Sequence, residues 1–364
     1  MAEECLDNDY IQAYSRFFAK FARLEEQSEE ELTVQMRRQE IQEKEILGEI
    51  INEAVQYLDS MNCPASLQAF LVRQVVRDMQ TMCKERPKDC GFVHDNTYSP
   101  LRLSRAVTNK VNEICWGYMD NSKLGSLPLS SPYAYPQVLT AHIQNSRRAM
   151  EDRHIVLHDL NYLFNVKADS PAHYYAVFDG HRGRGAAMYC AAHLHRFLVN
   201  SDHYPTNPPR ALHEAFLKAD TQYTEKFNKR TSSGTTATCA LVIDKKLYVA
   251  WVGDSLGILV RRGAITLLVN PHRLHRRDEV ERILKNGGVP LHSYGTVRVN
   301  GLLENSRSIG DAEFKPFVTG EPEISCETLN GTEDFLVIAT DGLWDHVKEE
   351  DVMKLIYVEI LQQP

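Results

Sequence analysis

The sequence predicts an α+β protein in which two packed antiparallel β-sheets are flanked by helices, an αββα sandwich, preceded by an α-helical N-terminal region. Three observations predict it. Residues 9–86 carry apolar residues at helical spacing with few Gly and Pro. Four strand patterns follow one another between residues 236 and 269 across short polar connections such as Asp244-Lys245-Lys246, the mark of antiparallel hairpins. Helical patterns lie between the strand groups, and sheets with one apolar face must bury it against each other or against helices.

In the N-terminal region, Ile46, Ile50, Ile51, Ala54, Val55 and Leu58 follow the i, i+3, i+4 rule, as do Leu67, Phe70, Leu71, Val75 and Met79. A break is expected at Asn62-Cys63-Pro64, because Pro fixes φ and removes a donor. The run Glu25-Glu26-Gln27-Ser28-Glu29-Glu30-Glu31 reads as a solvated linker or helix face. A short helix is expected near residues 104–116. A stretch rich in Ser, Pro and Tyr then runs from Asn121 to Pro136, which divides the chain into a helical region, 1–137, and a second domain, 138–364.

In the second domain Tyr174–Phe178 reads as a strand stopping at Asp179-Gly180, and Ala186–Val199 as a helix. The consecutive strands are expected at Thr236–Ile243, Leu247–Val252, Gly257–Arg261 and Ala264–Val269. A helix from about Arg277 to Asn286 ends at Gly287-Gly288, a left-handed stop. Phe335–Ala339 is a further strand and Glu349–Gln362 the final helix.

Composition narrows the class. Hydrophobic residues at 43% and charged residues at 25% are those of a globular protein, which excludes a disordered or collagen-like chain. A net charge of −8 without clustered Lys and Arg argues against a nucleic-acid partner. No stretch approaches the roughly 20 apolar residues that span a bilayer, and the acidic start Met1-Ala2-Glu3-Glu4 is unlike a signal peptide. The expected setting is cytoplasmic or nuclear, without a membrane. The cysteines, Cys5, Cys63, Cys83, Cys90, Cys115, Cys190, Cys239 and Cys326, show no Cys-x-x-Cys pair and read as reduced thiols.

Three strands end in acidic residues beside Gly: Phe178-Asp179-Gly180-His181, Val252-Gly253-Asp254-Ser255 and Thr340-Asp341-Gly342-Leu343-Trp344-Asp345. One Asp-Gly alone reads as a turn. Three at strand ends, together with Met150-Glu151-Asp152, read as an oxygen-rich pocket for Mg²⁺ or Mn²⁺.

With Arg147-Arg148-Ala149-Met150-Glu151-Asp152, Ser233-Gly234-Thr235-Thr236-Ala237, Arg298-Val299-Asn300-Gly301 and Ser306-Arg307-Ser308-Ile309-Gly310-Asp311, these segments stand in the order of type 2C protein serine/threonine phosphatase motifs over residues 138–357. Trp251–Ser255, Pro271-His272-Arg273 and Lys315–Glu321 most resemble the calcium/calmodulin-dependent protein kinase phosphatase branch.

The resemblance implies hydrolysis of phosphoserine and phosphothreonine in proteins at a two-metal site, where a metal-bridging hydroxide attacks phosphorus directly. Asp179 would bridge both ions with the carbonyl of Gly180, Glu151 would serve one ion and Asp341 the other. Asp254 and Asp345 match positions that, with Asp341, hold a further, weaker ion, and Asp152 supports the ligands from behind. Arg147 matches the phosphate-binding arginine, whose planar fork suits two phosphate oxygens, and His181 the general acid. Arg298 would support the flap bordering the cleft, and Asp311 would be a structural hydrogen-bond anchor. The implied partners are phosphoprotein substrates, with protein kinases among them. The N-terminal helices read either as a module that binds a protein partner or as a shield over the sandwich.

The sequence departs from that pattern in places. The family's last motif, an Asp-Asn pair before a strand, lies several dozen residues past the Asp341 motif, and here 23 residues follow Asp341. The sandwich's final strand and one metal ligand are therefore expected to be missing. Arg182 stands where the family has a small residue, and Glu304-Asn305 replace a small and apolar pair. The alternative kept open by these departures is a catalytically weak or inactive pseudophosphatase acting as a binding or regulatory protein. A nuclease-type metallohydrolase is disfavoured by charge and motif order.

Overall fold

A computed structural model describes residues 2–23, 40–128, 135–227 and 232–362. The acidic run 25–31 lies outside the described residues. The chain divides into two compact units, Met1–Thr140 with Leu157–Pro171, and Ala141–Val156 with Ala172–Pro364.

The first unit is helical: α1 (Ala2–Ala19), α2 (Ile46–Ser60), α3 (Ala65–Glu85), α4 (Pro100–Trp116) and the short α5 (Leu160–Leu163), with the small antiparallel pair β1 (Ile41–Gln42) and β2 (Thr97–Tyr98). Tyr14, Phe17, Phe18 and Phe21 recur at helical spacing and are buried, which is why this segment coils and docks. The stripe of α2 is buried throughout, from Ile46 to Leu58, and α3 buries Leu67, Leu71, Val75 and Met79. The chain turns between them at Asn62, in the left-handed region at φ 52, with Pro64 at the N-cap of α3. The helix expected near 104 starts at Pro100 instead, because Pro is pre-set for the first helical turn, where its missing N–H costs nothing. Trp116 Nε1 donates to the Phe21 carbonyl at 2.7 Å and Tyr57 Oη to Asn112 Oδ1 at 2.7 Å, so the helices are tied by satisfied polar contacts.

The second unit carries the sheets. One has five strands in the order β14-β8-β7-β4-β3, with β3 Arg153–Leu157, β4 Ala172–Phe178, β7 Ala237–Ile243, β8 Lys246–Val252 and β14 Glu323–Thr328. The β14–β8, β8–β7 and β7–β4 pairings are antiparallel. A second, antiparallel sheet orders β10 (Ala264–Leu267), β9 (Leu256–Arg261) and β15 (Glu333–Ala339). Leu247, Val249 and Trp251, alternate residues of β8, pack with Leu256, Ile258 and Val260 of β9 to form the core between the sheets. Helices α6 (Gly185–Val199) and α7 (Pro208–Phe227) cover the larger sheet, and α10 (Glu349–Gln362) packs Met353 and Tyr357 on the smaller one. The remaining elements are α8 (Arg277–Lys285), α9 (Asp341–Trp344), the hairpin β11 (Pro290–Ser293) with β12 (Thr296–Val299), and a small sheet ordered β13 (Ile309–Gly310), β6 (Gly234–Thr235), β5 (Gly180–His181).

One connection differs from expectation and matters for function. The run of hairpins from residue 236 to 269 is interrupted, because β8 and β9 belong to different sheets. The chain crosses between them at Gly253, at φ 95, where a Cβ would sit 2.5 Å from Thr236 Cγ2. Only glycine relieves both constraints, and the crossing sets Asp254 between the two sheets.

Candidate metal centre

Asp179 leaves the end of β4 with its main chain clamped on both sides. Its carbonyl accepts from Thr236 N at 2.9 Å and Thr235 Oγ1 at 3.0 Å, and its N–H donates to Thr236 Oγ1 at 3.2 Å. Thr236 Oγ1 also hydrogen-bonds Ser255 Oγ at 2.9 Å, which ties this strand end to the crossing that carries Asp254. The chain at Glu151 runs against Gly180, where a Cβ would lie 2.4 Å from the Glu151 carbonyl oxygen. Glu151 itself is half-buried. Asp152 accepts from Thr340 Oγ1 at 3.0 Å, so the lead into β3 is fastened to the residue before Asp341.

These constraints place Asp152, Asp179, Asp254 and Asp341 near enough for their charges to act on one another. Burial, followed by the charges of Asp341 and Asp152, pushes the Asp179 carboxyl far above the usual carboxylate range, and Asp179 hydrogen-bonds Asp341. Burial and then Asp341 raise Asp254, against the lowering influence of Arg273 and of a hydrogen bond from Asn305. Burial raises Asp152 as well, and Asp341 adds to it. Like charges crowded in a poorly solvated site disfavour ionisation until a cation enters. Asp345 is exposed and joins through Arg273, whose Nη2 lies 2.8 Å from Asp345 Oδ1 and whose Nε lies 3.3 Å from Asp254 Oδ2.

The donors fit a hard dication. They are all carboxyl oxygens that a cation would help to ionise, and Asp254 Oδ1 is buried without a hydrogen-bond partner.

His181 stands beside this group on β5, with Nε2 2.7 Å from Asp311 Oδ2. Arg147 is placed differently. Its main chain is held by Gln144, through Arg147 N to the Gln144 carbonyl at 3.2 Å and Gln144 Nε2 to the Arg147 carbonyl at 2.8 Å. Its side chain is exposed and makes no hydrogen bond or ion pair among the described residues. Arg182, in the left-handed region at φ 57, pairs with Glu313 and stacks over Phe314 at 5.3 Å, which neutralises the cation beside His181.

The polar Glu304-Asn305 pair finds partners too. Glu304 Oε1 accepts from Thr296 Oγ1 at 2.8 Å and from Arg298, fastening the β11–β12 hairpin, while Asn305 supports Asp254. Arg298 also lies over the Tyr294 ring at 5.5 Å and donates to the Leu302 carbonyl at 3.1 Å.

A second cluster, His272, Glu279 and Glu323, has ligand atoms within 4.8 Å of one another. Arg276, Arg282 and Arg307 already hold its two carboxylates, Arg276 binding Glu323 at 2.6 Å and Arg307 binding Glu279 at 2.6 Å. Three guanidinium charges against two carboxylates leave no excess negative charge for a dication. This cluster is a structural ion network.

Thr235, Thr236, Thr340 and the bridging role of Arg273 went unread in the sequence. Thr340 adjoins Asp341 and Thr235-Thr236 stand within a quoted motif, so position alone could have flagged them. Arg273 reaches Asp254 and Asp345 only through the fold.

The chain is similar to known proteins over most of its length. The family profile for protein phosphatase 2C matches residues 138–363. Protein phosphatase 1E of Mus musculus is 37% identical over 324 residues, covering 87% of this chain and 42% of that protein. Protein phosphatase 1F of Homo sapiens is 34% identical over 340 residues, covering 89% of this chain and 74% of that protein. The chain thus spans less than half the length of the 1E relative. Two solved structures share the fold. A C. elegans sex-determining protein matches with TM-score 0.70 at 22% identity, over 89% of this chain and 81% of that one. A serine-threonine phosphatase 2C from Toxoplasma gondii matches with TM-score 0.53 at 20% identity, over 59% and 81%. A carboxylate cluster at the rim of two packed sheets, in a chain matched by this profile over more than half its length, leads to one assignment: the chain belongs to the protein phosphatase 2C family.

Proposed function

We propose that this chain hydrolyses phosphoserine and phosphothreonine in proteins and requires Mg²⁺ or Mn²⁺. The observation that carries the reading is the convergence of Asp152, Asp179, Asp254 and Asp341 on one rim, with His181 next to it. Asp179 with the Gly180 carbonyl, Glu151 and Asp341 would hold two ions, and Asp254 and Asp345 a further, weaker one with Asp341. When bound, such ions neutralise phosphoryl charge and make water nucleophilic at neutral pH.

The chain's own groups do the rest. The exposed Arg147 guanidinium binds two oxygens of the phosphate through its planar fork. His181 donates a proton to the departing serine or threonine oxygen. The clamps on Asp179 hold the carboxylates in place before substrate arrives. In this reading residues 138–364 are the catalytic domain and residues 1–137 a helical region that binds a protein partner.

The test is phosphate release from a serine phosphopeptide by the full chain with Mn²⁺. Turnover that disappears with chelator and in Asp179→Ala supports the reading. A folded chain with no turnover at millimolar Mn²⁺ ends it.

A further inference from the structure

We propose that Asp311 is a positioning residue for His181: it fixes the ring's orientation and tautomer, leaving Nδ1 as the nitrogen that meets the leaving-group oxygen. This rests on the phosphatase reading of His181 above. The geometry is specific. His181 Nε2 lies 2.7 Å from Asp311 Oδ2, and the Asp311 carboxylate is wholly buried. Ser308 Oγ donates to the same oxygen at 2.5 Å, while Oδ1 is buried without a partner. A carboxylate accepts and does not donate, so Nε2 carries the hydrogen in this pair. The remaining ring nitrogen is Nδ1.

The backbone is shaped around that contact. His181 pairs with Gly234, and Gly234 with Gly310, across the three strands of the small sheet, so Asp311 is delivered at the far edge. A Cβ on Gly234 would fall 2.1 Å from Asp311 Oδ2 and 2.5 Å from His181 Nε2, and glycine alone lets the two side chains meet. Gly310, at φ 90, is held by its N–H to Asp220 Oδ1 at 2.9 Å, and Asp220 Oδ2 pairs with Lys315 at 2.8 Å. Asp311 itself is in the left-handed region at φ 48, a conformation that costs free energy for a residue with a Cβ. A structure that only needed a buried anchor would not require its partner to be the histidine beside the metal ligands.

The chemical step follows. Water oxygen bonds to phosphorus and gives up its proton to solvent. Nδ1 first takes a proton from solvent, giving the imidazolium; the bond from phosphorus to the serine or threonine oxygen then breaks, and the electron pair left on that oxygen takes that proton from Nδ1. The ring ends neutral, with Nε2–H still on Asp311.

The experiment uses the full chain labelled with ¹⁵N-histidine and long-range ¹H–¹⁵N spectra, with His181 assigned from the signals lost in His181→Gln. Wild type is expected to show His181 as the Nε2–H tautomer, and Asp311→Asn to lose it. In parallel, Asp311→Asn should lose about 100-fold in phosphopeptide turnover, the scale of general-acid catalysis. Its loss on p-nitrophenyl phosphate, whose leaving group needs no proton, should be at least about tenfold smaller. Nδ1–H or freely exchanging tautomers in wild type would overturn the proposal, as would equal losses on both esters. If Asp311→Asn does not fold, the wild-type tautomer decides. A wild-type chain inactive on both esters would remove the phosphatase reading alone, since the tautomer is read without turnover.

Discussion

Asp254 is 5% exposed, one of its oxygens has no hydrogen-bond partner, and the other faces the Arg273 guanidinium at 3.3 Å. A buried carboxylate left without a counter-charge costs several kcal/mol, but Arg273 is 40% exposed, so solvent screens part of its contribution. Arg273→Ala is therefore expected to lower the stability of the metal-free protein by about 1–2 kcal/mol, read as a lower urea midpoint at unchanged m-value. Mn²⁺ should shrink that deficit, because a dication supplies the charge the arginine gave. A deficit that Mn²⁺ leaves unchanged would show that Asp254 does not face the ions. Gly180 gives a second test at this scale. The group its Cβ would strike is the Glu151 main-chain carbonyl, which cannot rotate away. Gly180→Ala should cost about 1–3 kcal/mol and weaken Mn²⁺ affinity, measured by calorimetric titration, since the carboxylates of Glu151 and Asp179 must part together. Full Mn²⁺ affinity in this variant would argue that the close approach is not part of the site.

Helix α8 shows what an element contributes through one side chain. Glu279 is 1% exposed; burial alone would raise its pKa, yet hydrogen bonds from Arg307, Arg282 and Ser306 outweigh burial and hold it at about 2. A carboxyl depressed in the folded state stabilises above its unfolded pKa, and that stability is lost as pH falls toward the folded value. The window here runs from about 4.5 down to about 2, and the contribution is at most about 3 kcal/mol. Unfolding in urea should show wild type losing stability between about pH 5 and pH 3, and Glu279→Gln, weaker at neutral pH, losing much less over that interval. Equal slopes would refute the assignment.

The same scale explains what the sequence let one read. Strands β4, β7, β8 and β15 and helices α6, α8 and α10 lay within a few residues of their expected places, because period and Gly stops mark them. Helix α7 was missed: its buried stripe, Ala211, Leu212, Ala215, Phe216 and Ala219, is mostly alanine and opens on Pro208-Pro209. Strand β14, Glu-Ile-Ser-Cys-Glu-Thr, is a polar edge whose place depends on pairing with β8. Asp179, Asp254 and Asp341 could be picked out because each follows an apolar strand, whereas Glu151, Asp152 and Asp345 were read from the motifs around them. Their partners, Arg273 to Asp345 and Ser308 to Asp311, arise from tertiary placement or loop geometry that no period encodes.

At the scale of the whole molecule, the carboxylates come from segments far apart in the chain, and Asp152 meets Thr340 across the second unit. Ions held there bind the folded state and have no such site in the unfolded one, so they stabilise by mass action, about 2.7 kcal/mol at a concentration 100 times Kd. Thermal melts of the full chain should therefore rise with Mn²⁺ and return to the metal-free value with chelator. Asp179→Asn is expected to move the two conditions in opposite senses. Without metal it should melt at or above wild type, since it removes a carboxyl that burial, Asp341 and Asp152 force to take up a proton on folding at neutral pH. With Mn²⁺ it should gain little, since the residue proposed to join both ions is gone. A substitution that merely damaged packing would lower both melts, and a variant that kept the full Mn²⁺ increment would place the ions elsewhere. The sign of the metal-free change, measured beside the lost increment, separates a site built from mutually repelling ligands from a stretch of ordinary structure.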